Sequence, residues 1–156
     1  MAIVSDSGPI MSFARADLLG LLQQVVGELI IPDEVYDEIV VHGAGRAGSI
    51  LLPWIRRVSI QDQTAAPQLP EKLHAGERAA ITLANEMRAS LLIDDRTARG
   101  EAHRLGLNYF GSLRILKEAK NSGLITVAKE PLDRLIESGM YVSESLYGAF
   151  LRSLLE

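Results

Sequence analysis

Apolar and polar positions follow two patterns along this chain. Short apolar runs, such as the LLI of residues 91–93, are typical of buried strands, whereas segment 77–90 repeats its apolar residues at helical spacing. Strands are predicted at Ala2–Val4, Leu29–Ile31, Ile55–Ile60, Leu91–Ile93 and Asn108–Phe110. Helices are predicted at Pro9–Val26 with a break near Ala16–Asp17, from Pro32 through the acidic run DEVYDEIV, and at Glu77–Ser90, Thr97–Leu105, Ser112–Asn121, Pro131–Glu137 and Ser143–Leu154.

Strands that alternate with helices predict parallel pairing through right-handed crossovers. The expected fold class is therefore α/β, a three-layer α/β/α sandwich with a central parallel sheet and extra C-terminal helices. The length of 156 residues favours one domain, 1–156, in which 131–156 form a helical C-terminal extension. Segment 43–70 has the least regular pattern, and we expect a short helix, the third strand and a loop over 61–70.

Composition narrows the function classes. The chain has no cysteine, which excludes disulfides, thiolate zinc sites and cysteine nucleophiles. No apolar run reaches the roughly 18 residues of a membrane span, and Asp6 interrupts any signal-like N-terminal segment. We expect a soluble cytoplasmic protein with no membrane partner. The net charge of −4 argues against a general nucleic-acid binder.

Acidic residues follow two predicted strands at their carboxyl ends. Asp6 ends the first strand and the pair Asp94 and Asp95 ends the fourth, at the edge where parallel sheets bind ligands. Glu77 lies on an apolar helix face, and Glu38 shares a helical face with Val35 and Val41. Converging carboxylates repel unless a cation lies between them. Oxygen ligands alone select Mg²⁺ or Mn²⁺, ions that bind phosphates and activate water.

Each of these acids also has a purely structural interpretation. Asp6 can cap the helix that follows it, and Glu77 can complement a helix dipole. Glu38 can belong to a solvated acidic face. One of Asp94 and Asp95 is expected to be the N-cap of the next helix.

A formal GxGxxG occurs at Gly43–Gly48, with Asp62 about 19 residues downstream. Dinucleotide binding by this motif requires a strand before it and a crossover helix after it. Here the preceding residues continue the acidic helix, and Pro53 interrupts the segment that follows. The context therefore favours a loop, and a nucleotide-cofactor enzyme stays an alternative.

The series VSDSGPI, IIPDEVYDEI, GERAAITLA, LLIDDRTAR and FGSLRILKEAKNSGLI resembles the PIN-domain superfamily, from about Ile3 to about Leu135. It is most similar to a prokaryotic subgroup with DSGP, GE and DD signatures. The resemblance implies a PIN-like fold and a Mg²⁺- or Mn²⁺-dependent ribonuclease that hydrolyses RNA phosphodiester bonds. It also implies a possible toxin role, since many members are VapC-type toxins paired with an antitoxin protein.

Carried over by position, the resemblance implies that four acids are catalytic and bind metal, with Asp94 as an additional metal ligand and Ser7 as the hydroxyl residue beside the first acid. The four are Asp6, Glu38, Glu77 and Asp95. Arg96 and Arg99 follow the acid pair and are candidate phosphate contacts. Ser112, at a strand end and a helix start, is a further candidate substrate contact, although a plain N-cap also explains it.

Two other interpretations remain open. A catalytically silent PIN-like module would act only by binding protein. Leu146, Phe150 and Leu154 form a helical stripe that can pack on the chain's own core or on a second copy, as a homodimer would require. A phosphoacceptor receiver domain is disfavoured, because its acid pair would follow the first strand.

Overall fold

The computed structural model describes residues 2–42 and 52–156 of the chain. Five strands in this part form one parallel sheet in the order β3-β2-β1-β4-β5. The strands are β1 Ile3–Ser5, β2 Leu29–Ile31, β3 Ile55–Arg57, β4 Ser90–Leu92 and β5 Tyr109–Phe110. The expected α/β class with a central parallel sheet is confirmed.

Helices cover both faces of the sheet. They are α1 Ser7–Arg15, α2 Leu19–Val26, α3 Asp33–His42, α4 Ala75–Met87, α5 Arg96–Arg104, α6 Ser112–Asn121, α7 Lys129–Glu137 and α8 Glu144–Ser153, with a 3₁₀ turn at Ala66–Gln68. The predicted helix break is confirmed, because Asp17 adopts a left-handed φ of 59° between α1 and α2. None of these described helices is long and apolar enough to cross a membrane.

The middle of the sheet creates a crevice at its carboxyl edge. β1 pairs with β2 on one side and with β4 on the other, with Ser5 opposite Leu92. The Asp6 amide extends this ladder by donating to the Leu92 carbonyl at 3.1 Å. Because strand order reverses between β1 and β4, the loops after these two strands diverge to opposite faces and leave space for a ligand.

The core surrounds the central strands. Val4, Ile30 and Leu91 are almost fully buried, as expected for strands covered on both faces. Helix α4 packs against α3 and β1, and its small buried residues, including Ala80 and Ala84, permit a close approach. This packing fixes the start of α4, which carries Glu77, beside the end of β1.

The C-terminal helices pack on the same core. Leu132 and Leu135 of α7 are fully buried, and Leu154 is 8% exposed. Arg134 of α7 donates to the carbonyl of Ala16 at 2.6 Å, which satisfies the C-terminal end of α1. Segment 131–156 is therefore tied to the domain by both apolar contacts and hydrogen bonds.

Candidate active site

A cleft of about 520 Å³ lies at the carboxyl edge of the sheet, beside the ends of β1 and β4. All five predicted acids line it. Its lining residues are Asp6, Ser7, Gly8, Pro9, Glu38, His74, Ala75, Glu77, Asp94 and Asp95. Four separate parts of the chain supply these side chains, so the cleft exists only in the folded protein.

Asp6 is buried in the cleft, with 6% of its surface exposed, the same fraction as Glu77. It occupies the N-cap position of α1, yet its side chain makes no capping hydrogen bond. Its Oδ1 atom is buried without a hydrogen-bond partner. Burial raises the pKa of Asp6 to about 7, and the charges of Glu77 and Glu38 add to this shift. Capping alone does not account for such a carboxylate.

Glu77 combines a structural contact with an unsatisfied oxygen. Its Oε1 accepts a hydrogen bond from the His74 amide at 3.2 Å, so it closes a capping box at the start of α4. Its Oε2 is buried without a partner. The pKa of Glu77 is raised by burial and, secondarily, by the neighbouring Asp95 carboxylate. The structural and functional interpretations of Glu77 therefore both apply, one to each oxygen.

Glu38 joins three helices at the cleft. Its Oε2 accepts from the Ser7 hydroxyl at 2.7 Å and its Oε1 from the Gly76 amide at 2.9 Å. The contact requires glycine, since a Cβ on residue 76 would lie 2.3 Å from Glu38 Oε1. Glu38 thus links the starts of α1 and α4 to α3.

The two acids after β4 make different hydrogen bonds. Asp95 is the N-cap of α5, and its Oδ2 accepts from the Ala98 amide at 2.9 Å. Asp94 binds Ser112 twice, with Oδ1 accepting from the amide at 2.7 Å and Oδ2 from the hydroxyl at 2.6 Å. A Cβ on Gly111 would lie 2.6 Å from Asp94 Oδ1, so this glycine admits the carboxylate.

The candidate substrate contacts lie in different environments. The guanidinium of Arg99 lies over the Tyr109 ring, 5.3 Å from its centroid. Arg96 is exposed at the first position of α5. Ser112 is buried, and its hydroxyl is directed to Asp94.

Three residues of the cleft region were missed by sequence reasoning. His74 lines the cleft, while Gly76 and Gly111 make room for Glu38 and Asp94. Each glycine directly precedes a predicted site residue, and that adjacency was the available signal. The GxGxxG of Gly43–Gly48 lies outside the described residues.

The donor chemistry of the cleft fits a hard divalent cation. Asp6 and Glu77 each present a buried oxygen that has no protein partner, and every acidic donor is a carboxylate. Among residues 2–42 and 52–156, no three acidic or histidine side chains converge as a ready-made metal-binding group. Mg²⁺ does not require one, because it is commonly bound by one or two carboxylates together with water and phosphate oxygens.

A family model described as a PIN domain matches residues 2–156. The chain belongs to the PIN-domain family. The match includes the C-terminal helices, beyond the point near Leu135 where the motif resemblance ends. PIN domains are generally nucleases and usually bind divalent metals, which fits the carboxylate cleft described above.

The fold of this PIN domain has a counterpart among solved structures. A PilT N-terminus domain protein of the hyperthermophilic archaeon Sulfolobus solfataricus P2 aligns with a TM-score of 0.55 at 15% identity, covering 92% of this chain and 98% of the other. At that identity the likeness concerns the fold alone. No curated protein matches the chain.

Proposed function

We propose that this PIN domain is a metal-dependent ribonuclease that hydrolyses RNA phosphodiester bonds. One observation carries the proposal: Asp6 and Glu77 place buried, partnerless carboxylate oxygens in one cleft. Leaving such groups without a partner costs about 1–3 kcal/mol each. A bound cation would recover that free energy.

The acids of the cleft would have two different roles, metal binding and positioning of the helices. Asp6 and Glu77 would hold Mg²⁺ or Mn²⁺, with Asp95 beside Glu77. Glu38 and Asp94 have both oxygens in hydrogen bonds with protein donors, so they hold the helix starts in position. When bound, such a metal lowers the pKa of water and neutralises charge on a phosphate.

Titration calorimetry with Mn²⁺ tests the metal site directly. We expect wild-type protein to bind and Asp6→Asn and Glu77→Gln to lose most affinity. Glu34→Gln is a matched control, because Glu34 Oε2 is also buried without a partner but does not line the cleft. Equal affinity in all four proteins would place any bound metal elsewhere.

Cleavage of a labelled RNA, with Mn²⁺ and then with EDTA, tests the reaction. We expect cleavage by wild type only with metal and none by Asp6→Asn. Metal binding with no cleavage would overturn the RNA substrate. Absence of metal binding at millimolar concentrations would overturn the nuclease itself.

A catalytically silent protein-binding module is the second candidate. It is favoured by the absence of a ready-made group of three metal ligands among the described residues. Its signature is a protein that folds normally, binds no divalent ion and cleaves no RNA.

A toxin role, with a cytoplasmic location and an antitoxin partner, extends the proposal on the strength of the family resemblance. Co-expression with the protein encoded next to this chain tests it, with relief of growth arrest as the expected result. Sedimentation of the purified protein tests the proposed homodimer.

A further inference from the structure

A second groove of about 350 Å³ shares the lining residue Asp94 with the acidic cleft. We call it the Tyr141 groove; its lining residues are Asp94, Arg99, Tyr109, Phe110, Gly111, Leu113, Arg114, Met140, Tyr141, Val142 and Leu146. Asp94 lines both spaces, so the groove adjoins the cleft at this residue. Any chain that extends from the cleft toward α6 would enter it.

Two arginines give the groove positive charge. Arg99 is held over the Tyr109 ring at 5.3 Å. Among the described residues, Arg114 forms an ion pair only with Glu118, at 3.3 Å on the solvent-exposed side of α6. Exposed pairs of this kind hold an arginine weakly, so Arg114 is free to bind a phosphate. The acid within the groove, Asp94, already has both oxygens in hydrogen bonds with Ser112.

An aromatic ring lies uncovered in the same groove. Tyr141 is 88% exposed and lies in the segment between α7 and α8, with Met140 and Val142 on either side. An aromatic surface of this size exposed to water beside two arginines matches the requirements of a single-stranded nucleic acid. Its bases stack on aromatic rings while its phosphates contact cations.

We propose that the Tyr141 groove binds a nucleotide of single-stranded RNA adjacent to the bond that is cut. The base would stack on Tyr141, and the flanking phosphates would contact Arg99 and Arg114. This inference rests on the proposed ribonuclease function and adds the path of the substrate. It also places the RNA strand on the α6 and α7–α8 side of the cleft.

Fluorescence anisotropy of a labelled single-stranded RNA in EDTA, where cleavage does not occur, tests the groove. Tyr141→Ala should weaken RNA binding about tenfold, because it removes the contribution of one stacked base to the binding free energy. Tyr141→Trp should restore binding, because stacking needs only an aromatic face. Arg114→Glu should weaken binding and reduce its salt dependence.

Arg56→Glu is the charge-matched control. Arg56 is exposed on β3, at the opposite edge of the sheet from β5, and should not change RNA affinity beyond the general effect of net charge. Mn²⁺ affinity should be unchanged in all four variants. Because Tyr141 is exposed, its substitution should also leave the melting temperature unchanged.

The failures of the two proposals are distinguishable. If wild type cleaves RNA and the groove variants bind and cleave as wild type does, the groove is overturned and the ribonuclease stands. If wild type binds Mn²⁺ but neither binds nor cleaves RNA, both proposals fall.

Discussion

Gly76 is the position where one added carbon should disturb the site most. An alanine Cβ there would lie 2.3 and 2.4 Å from the two carboxylate oxygens of Glu38. Those separations are far below van der Waals contact, so the carboxylate must move. Moving it breaks its hydrogen bonds with the Ser7 hydroxyl and the Gly76 amide.

The magnitude follows from those two contacts. Hydrogen bonds to a charged group contribute about 1.5–3 kcal/mol each, so losing both sets an upper bound near 3–6 kcal/mol. Water reaches the partly exposed Glu38 and restores some of this, and alanine favours a helix over glycine by up to about 1 kcal/mol. We expect a net loss of about 2 kcal/mol, or a melting temperature lower by about 4–8 °C.

Thermal and urea unfolding followed by circular dichroism measure this effect. Gly20→Ala is the matched control, because Gly20 is also the second residue of its helix and a Cβ there meets nothing within 4 Å. The decisive comparison repeats Gly76→Ala in a Glu38→Ala background, where it should be neutral or stabilising. If Gly76→Ala has the same effect in both backgrounds, or behaves as Gly20→Ala does, the steric explanation is wrong.

Three further predictions concern the acids. The pKa of Asp6 is raised from 3.8 to about 7 in the folded protein, so metal-free stability should be greatest below about pH 4 for this group and decline as pH rises through about 7. Chemical denaturation in EDTA should show that decline, and Asp6→Asn should reduce it, leaving the part that comes from the raised pKa of Glu77. Mn²⁺ binding near pH 6 should release protons, because Asp6 must ionise before it can bind the cation. Calorimetry in two buffers of different ionisation enthalpy measures the number of protons released, which should be smaller for Asp6→Asn. Equal proton release from wild type and Asp6→Asn would contradict the role of Asp6 as a metal ligand. Asp94→Asn and Ser112→Ala should each lower the free energy of unfolding by about 1–3 kcal/mol, and the double variant should lose little more. A large loss of Mn²⁺ affinity in Asp94→Asn alone would show that Asp94 is a metal ligand and does not act only by holding Ser112.

Strand and helix order could be read from the sequence because apolar runs and helical repeats are local patterns. The predicted ends of strands were less accurate where a residue is buried but does not pair with a neighbouring strand. Ile60 is 5% exposed, so its apolar character extended the predicted strand to Ile55–Ile60, yet β3 ends at Arg57. An apolar residue can be buried under a loop without joining a ladder, and periodicity alone does not distinguish the two cases.

The acids of the cleft were predictable for a topological reason. Parallel strands end at one edge, so Asp6 and the pair after β4 were expected at that edge, and the pairing of β1 with β4 brings them close together. Which of their carboxylate oxygens accept hydrogen bonds from the protein was not predictable from the sequence. Glu38 meets Gly76 across 38 positions and Asp94 meets Ser112 across 18, and only the three-dimensional packing decides which carboxylate oxygens remain without a partner.

The pairing of β1 with β4 has a consequence for synthesis of the chain. Asp6 precedes Glu77 and Asp95 by many residues along the chain, and the cleft is complete only when β1 pairs with β4, with Ile3 opposite Ser90. A nascent chain that ends before β4 has no complete cleft. Translation must therefore pass the fourth strand before all the acids of the cleft can be brought together.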